Sequence, residues 1–241
     1  MPRQVPWGRL GAEGAVIVFS ILLAFAIQAW WEGSQERKQE IRHLAALRSE
    51  LEVGLEIIPG AKTTIANMLH SHVSLTRQFP GDALAPEDSL FIWLSDLSRP
   101  GNLRPPTAVF DDLVSSGGIQ LIKSDLVRLA IADYQRLLGI HQTNIDQAWA
   151  TWAERMQPFL EGRVPRGERL RRGSYGAEWP VPLAPSPFPP DFASMFNDPS
   201  FSSMIAERWM RLDQAARNVA AIGSLMEELI ALIDEELGAA E

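Results

Sequence analysis

One stretch near the amino end constrains this chain more than any other. From Ala15 to Trp31 it reads AVIVFSILLAFAIQAWW, with no charge between Glu13 and Glu32 and only Ser20 and Gln28 interrupting the apolar run. Wound as a helix at 1.5 Å per residue, Gly14 to Trp31 reaches about 27 Å, against a bilayer hydrocarbon core of about 30 Å. Trp7 on one side and Trp30 and Trp31 on the other suit the two interfacial aromatic belts. The expectation is a short tail over 1–14, a transmembrane helix over 15–31 and one domain over 32–241. The alternative is a cleaved signal peptide, with Arg3 and Arg9 as its basic start and Ala24-Phe25-Ala26 as its cleavage site. The apolar run continues past that site into Ile27 and the Trp pair, which favours an uncleaved anchor. Ser20, Ala24 and Gln28 follow one another at small-residue helix-pairing spacing, which suits association of two anchors as well as it suits a lone one.

Orientation is contested by two arguments. Arg37, Lys38, Arg42 and Arg48 follow the segment while only Arg3 and Arg9 precede it, a positive-inside count that tilts the large domain toward the cytoplasm. That rule governs short loops, however, and the long domain beyond Trp31 can be translocated largely regardless of charge. The absence of cysteine agrees with an oxidising envelope compartment. The expectation is a bacterial inner-membrane protein with its carboxy-terminal domain on the periplasmic face.

The rest of the chain reads as helix almost throughout, with no alternating β-branched run. Ile41, Leu44, Leu51, Leu55 and Ile58 recur at helical steps, so the anchor helix continues beyond the membrane until Pro59-Gly60 ends or kinks it. A second stripe, Ile65, Met68, Leu69, His72, Val73 and Thr76, runs to about Phe79. Shorter helices are predicted after Pro86-Glu87-Asp88 and after Pro105-Pro106-Thr107, the latter ending at Ser115-Ser116-Gly117-Gly118.

Two long helices follow. From a Ser124 N-cap, Val127, Ile131, Tyr134, Leu138, His141, Ile145, Ala148 and Trp152 alternate steps of four and three. After the cap pair Asp198-Pro199, the positions Ile205, Trp209, Leu212, Ala216, Val219, Gly223, Met226, Ile230, Ile233 and Leu237 do the same. Such coiled-coil-like seams bury themselves only against other helices. The expected fold is therefore all-α: an antiparallel bundle of about four long helices, the first continuous with the transmembrane helix, with short accessory helices at an end. Between the two long helices, 162–197 is rich in arginine and proline and reads as an extended, polyproline-like strap with a short helix at Phe192–Phe196.

Little in this sequence carries chemistry. Without cysteine there is no thiol nucleophile and no thiolate metal site. Nucleotide-binding, hydrolase and metalloprotease motifs are missing too, so no catalytic, cofactor or metal residue is assigned. His70 and His72 lie two apart and so point to opposite sides of a helix. His72 and His141 sit on apolar stripes of different helices, as ordinary interior histidines or as a shared polar core layer sensitive to metal or pH. Glu227, Glu228, Glu235 and Glu236 read as a solvated face. Arg163, Arg166, Arg169, Arg171 and Arg172 form the candidate basic surface, either a solvated loop or a contact for anionic lipid headgroups. The formal net charge of −8, which becomes −9 beyond Trp31, argues against nucleic acid.

Glu13, the run Ile21-Leu22-Leu23-Ala24 leading to Gln28 and Trp31, and the charged stretch Glu32 to Glu40 resemble the amino end of an uncharacterised family of bacterial single-pass membrane proteins, a domain of unknown function. The resemblance resumes at Thr107-Ala108-Val109-Phe110-Asp111-Asp112-Leu113-Val114-Ser115-Ser116-Gly117 and at Ile122, Leu126 and Tyr134. It implies an anchored helical domain and carries over no catalytic residues. Phe110 and Leu113 read as core, and Ser115–Gly118 as a structural joint or a ligand-binding turn. The functional expectation is a membrane-anchored scaffold or assembly protein of the bacterial envelope, in contact with the bilayer and with a protein partner or a second copy. The alternatives are a ligand sensor signalling through a partner and, last, a histidine-dependent metal enzyme.

Overall fold

The computed structural model describes the backbone of residues 7–101, 103–174 and 183–239, and side chains from residue 18 onward. No strand occurs among the described residues, in agreement with the all-α reading. Three helices are long: α1 (Trp7–Thr76), α4 (Asp125–Ala150) and α8 (Pro199–Gly238). Short helices fill the connections: α2 (Glu87–Asp96), α3 (Ala108–Ser115), a 3-10 turn (Gly118–Leu121), α5 (Gln157–Glu161), α6 (Arg166–Arg172) and α7 (Phe192–Phe196).

The expected four long helices become three because Pro59-Gly60 does not end the first one. Pro59 lies inside α1, with its side chain exposed. A proline there removes one ladder bond and crowds the carbonyl four residues back. Burial on either side holds the helix together: Leu51 and Ile58 before it, Ile65 and Met68 after it, all lie in the core. The Thr63 hydroxyl donates to the Pro59 carbonyl at 3.0 Å, supplying a bond next to the break.

Helix α8 runs antiparallel to α1 and α4 and packs on both. Arg37, near the middle of α1, meets Glu236 at the end of α8, Arg48 meets Asp234, and Ile58 touches the Gly223 position further along. The main core contains Leu44, Leu51 and Ile58 of α1, Phe110 and Leu113 of α3, Val127, Ile131 and Tyr134 of α4, and Val219, Met226 and Ile233 of α8. A second core, around Phe91, Leu94, Trp152, Met156, Phe196 and Phe201, lies at the other end, where the short helices gather. Met68, Ala148 and Leu212 pack between the two.

Local signals place most helix ends as read. Ser124 accepts from Val127 N–H at 3.4 Å, Asp198 accepts from Ser200 N–H at 2.9 Å ahead of Pro199, and α7 covers Phe192–Phe196. The Thr107–Gly118 segment forms α3 and the turn after it. Phe110 and Leu113 are buried, Phe110 stands edge-on to Tyr134 at 5.6 Å, and Gly117 takes φ +76°, where a glycine is needed.

Two further expectations are corrected. The strap over 162–197 is not extended throughout, since Arg166–Arg172 forms α6; residues 175–182 lie outside the described residues. On α8, Trp209 is 38% exposed and Arg208 takes the interior place beside it. As for the transmembrane helix, no helix among the described residues is long and apolar enough to cross a membrane. The side chains of residues 15–17 and of Trp7, part of that expectation, lie outside the described residues.

Candidate functional site

The end of α4 is where the backbone departs from regularity. Thr151–Met156 winds as a π-helix before α5 resumes the α form, a local widening that recurs at functional sites. Packed around this segment are two buried arginines from different elements, Arg208 of α8 and Arg169 of α6, only 1% and 4% exposed.

Arg208 bonds to main-chain carbonyls rather than to an acid. Its guanidinium donates to the Ala148 carbonyl, next to the π segment, and to the Arg99 carbonyl at 3.1 Å, tying α8 to α4 and to the loop after α2. Burial pushes it down to about 10, which still leaves it charged at neutral pH. It borders a cavity of about 260 Å³ shared with Arg99, Arg104, Gln142, Asp146 and Trp149.

Arg169 stands in a second cavity, of about 220 Å³, lined by Ser95 of α2 and Ser98 just after it, Trp149 and Trp152 of the α4 end, Gln157, and Arg166 and Leu170 of α6. Its guanidinium lies 5.8 Å from the Trp152 ring centroid, and its Nε and Nη2 have no hydrogen-bond partner. Burial, reinforced by the neighbouring Arg166 charge, lowers it to about 10. The fit between α2 and α6 here is close: a Cβ on Gly173 would lie 2.2 Å from Ser95 Cβ and 2.3 Å from the Arg169 carbonyl oxygen. Asp96 completes the junction by accepting from Ser71 at 2.6 Å and Ser174 at 2.7 Å while pairing with Arg99 at 3.0 Å.

The remaining arginines of the expected basic surface are engaged within the molecule. Arg163 pairs with Asp198 at 3.0 Å and caps the Phe159 ring at 3.8 Å, Arg166 lies 3.6 Å from Glu161, and Arg171 pairs with Glu168 at 2.6 Å. Arg172 bridges Glu87 and Asp88 and covers Phe91. Arg172 docks α6 onto α2, and Arg163 ties the segment between α5 and α6 to the start of α8. Glu236, read as part of a solvated face, is bonded to Arg37 at 2.9 Å.

His72 and His141 are buried and each bonds through one ring nitrogen to a different partner. His72 Nδ1–H donates to the Met68 carbonyl at 2.7 Å, which leaves Nε2 unprotonated and unpartnered. His141 Nε2 accepts from Leu103 N–H at 3.2 Å. Burial, with the Arg208 charge beside it, holds His72 down at about 3, and burial lowers His141 as well. His72 is therefore neutral at neutral pH. Among the described residues no group of three or more His, Asp or Glu could hold a metal ion.

Sequence reasoning grouped Arg169 with its surface neighbours and missed Arg208. The available signal was spacing: Ile205, Arg208 and Leu212 keep the three-four rhythm as well as Ile205, Trp209 and Leu212 do. Comparison with protein-family models, with curated proteins and with solved structures finds no match to this chain.

Proposed function

We propose that this protein is a membrane-anchored helical scaffold or interaction protein of a bacterial envelope, of the single-pass kind its amino end resembles, working by contact rather than catalysis. The observation that carries this reading is the exposed apolar surface of α1 between Val18 and Trp31. Phe19 and Trp30 are 67% and 72% exposed, and Ile21, Leu22, Leu23, Phe25, Ile27 and Trp31 are exposed with them. An apolar helix surface of this extent marks a membrane or protein interaction. Fourteen residues from Val18 reach about 21 Å, and the uncharged Gly14–Ile17 before them extends the run to the bilayer-spanning length. Because α1 continues unbroken into the bundle, with Arg37 already held by Glu236 of α8, the bundle sits close to the interface that Trp30 and Trp31 mark. The bundle lies on the periplasmic side, and its partners are the bilayer and a protein or a second copy of the chain.

Carbonate extraction of membranes from expressing cells tests the anchor. The full chain is expected to stay with the membrane and to be released when Leu22 and Phe25 are both replaced by lysine; release of the unchanged chain rejects the anchor. A periplasm-only reporter fused at the carboxy terminus is expected to be active, and activity of a cytoplasm-only reporter reverses the orientation. A second reading, ligand sensing relayed along α1 to a partner, is favoured by the buried Arg169 guanidinium, its Nε and Nη2 unpartnered, beside a cavity.

A further inference from the structure

The Arg169 cavity has a composition that suits one ligand chemistry. Two guanidiniums, two serine hydroxyls, an amide and two indoles line it, and no acidic side chain does. Nε and Nη2 of Arg169 are buried and unpartnered, so the guanidinium brings its charge to this lining without a bonded counter-charge. Glu161 is already engaged with Arg166 at 3.6 Å and with Gln157 Nε2 at 3.0 Å. A buried cation without a bonded counter-charge is costly, and a bound anion removes that cost. The Arg208 cavity lacks this character, since Asp146 lines it and Arg208 donates to two carbonyls.

We infer that the Arg169 cavity, at the junction of α2, the π segment and α6, binds a compact organic anion whose carboxylate or phosphate group pairs with the Arg169 guanidinium and whose short apolar body lies against Trp152 and Trp149. The volume, about 220 Å³, is below the usual range for drug-sized ligands, so the ligand is small. Arg166, 61% exposed in its side chain, stands as the outer cation, and buried Trp152 provides the apolar wall. An occupant would clamp α6 to α2 and to the end of α4. The inference deepens the ligand-sensing reading, and because binding is measured apart from anchoring and signalling, the two can fail separately.

The test uses the full chain in a neutral detergent, with calorimetry and thermal unfolding at matched ionic strength. Benzoate and phenyl phosphate supply head and body, acetate and inorganic phosphate the head alone, and sodium chloride is the reference. Saturable binding is expected, tighter for the two probes with a ring, and whichever of that pair binds tighter identifies the head group. Arg169→Gln is expected to weaken it at least about tenfold, the effect of losing a charge-assisted pair of bonds. Arg166→Gln, at an exposed position that leaves the fold intact, is expected to weaken it about fivefold, which keeps the test decisive if Arg169→Gln does not fold. Responses no larger than those to chloride for all four probes, or affinities unchanged in Arg166→Gln, overturn the site.

Discussion

The Glu50 carboxylate of α1 accepts the backbone N–H of Phe110 at 2.9 Å through one oxygen and that of Val109 at 2.7 Å through the other. Those N–H groups belong to the first turn of α3, whose own N-cap residue, Thr107, makes no side-chain cap bond. A residue nearly sixty positions away thus caps the helix and places a negative charge at its positive end. Glu50→Ala is expected to cost about 2 kcal/mol in urea unfolding, and Glu50→Gln about half of that, since the amide keeps one acceptor. Equal stability of all three proteins would show that the cap contributes nothing.

Pro59 gives a test of the long helix itself. If α1 is continuous through an exposed proline, Pro59→Ala restores a ladder bond and is expected to stabilise the protein by about 2–3 kcal/mol in the same assay. A neutral result would mean that the helix ends at this position in solution.

Gly173, just after α6, and Gly167, in its first turn, have opposite surroundings. A Cβ at Gly173 collides with Ser95 and with the Arg169 carbonyl, whereas nothing lies within 4 Å of one at Gly167. Gly173→Ala is expected to cost about 3 kcal/mol and to raise hydrogen exchange across α6, while Gly167→Ala gains about 0.5–1 kcal/mol from helix propensity.

His72 makes stability depend on pH in a definite direction. An unfolded histidine takes up its proton near 6.5, but in the folded protein burial and the Arg208 charge delay protonation to about 3. Stability is complete above about pH 6.5 and falls as pH drops toward 3, by at most about 1.4 kcal/mol per pH unit from this group. His141, also lowered by burial, acts in the same sense. Chemical unfolding of His72→Asn, which retains a donor for the Met68 carbonyl, is expected to show a flatter acid limb between pH 6 and 4. A slope identical to that of the unchanged protein would reject this account.

Arg208 joins three segments through two carbonyls. Arg208→Ala is expected to cost about 3 kcal/mol, because it leaves a cavity and orphans both acceptors. Arg208→Met restores the packing without the buried charge and is expected to recover more than half of that loss.

Much of this architecture was legible in the chain because its causes are local. Apolar residues at three- and four-residue steps marked α4 and α8, and Ser124, Asp198-Pro199 and Gly117 marked ends through capping and turn chemistry that involve only near neighbours. Three features were not. Pro59 reads as a stop by its own chemistry, and only packing on both sides carries the helix through it. The interior place on α8 was ambiguous by one residue, and it went to Arg208 rather than Trp209 because carbonyls of Ala148 and Arg99 wait there for a donor. The five arginines of 163–172 look alike in sequence, yet acids placed by other elements, Glu87, Asp88 and Asp198 among them, pair some of them and leave Arg169 buried with Nε and Nη2 unpartnered. Periodicity and capping act within a few residues and so belong to the sequence. Which arginine lacks a partner depends on acids brought from elsewhere, and only the tertiary structure decides that.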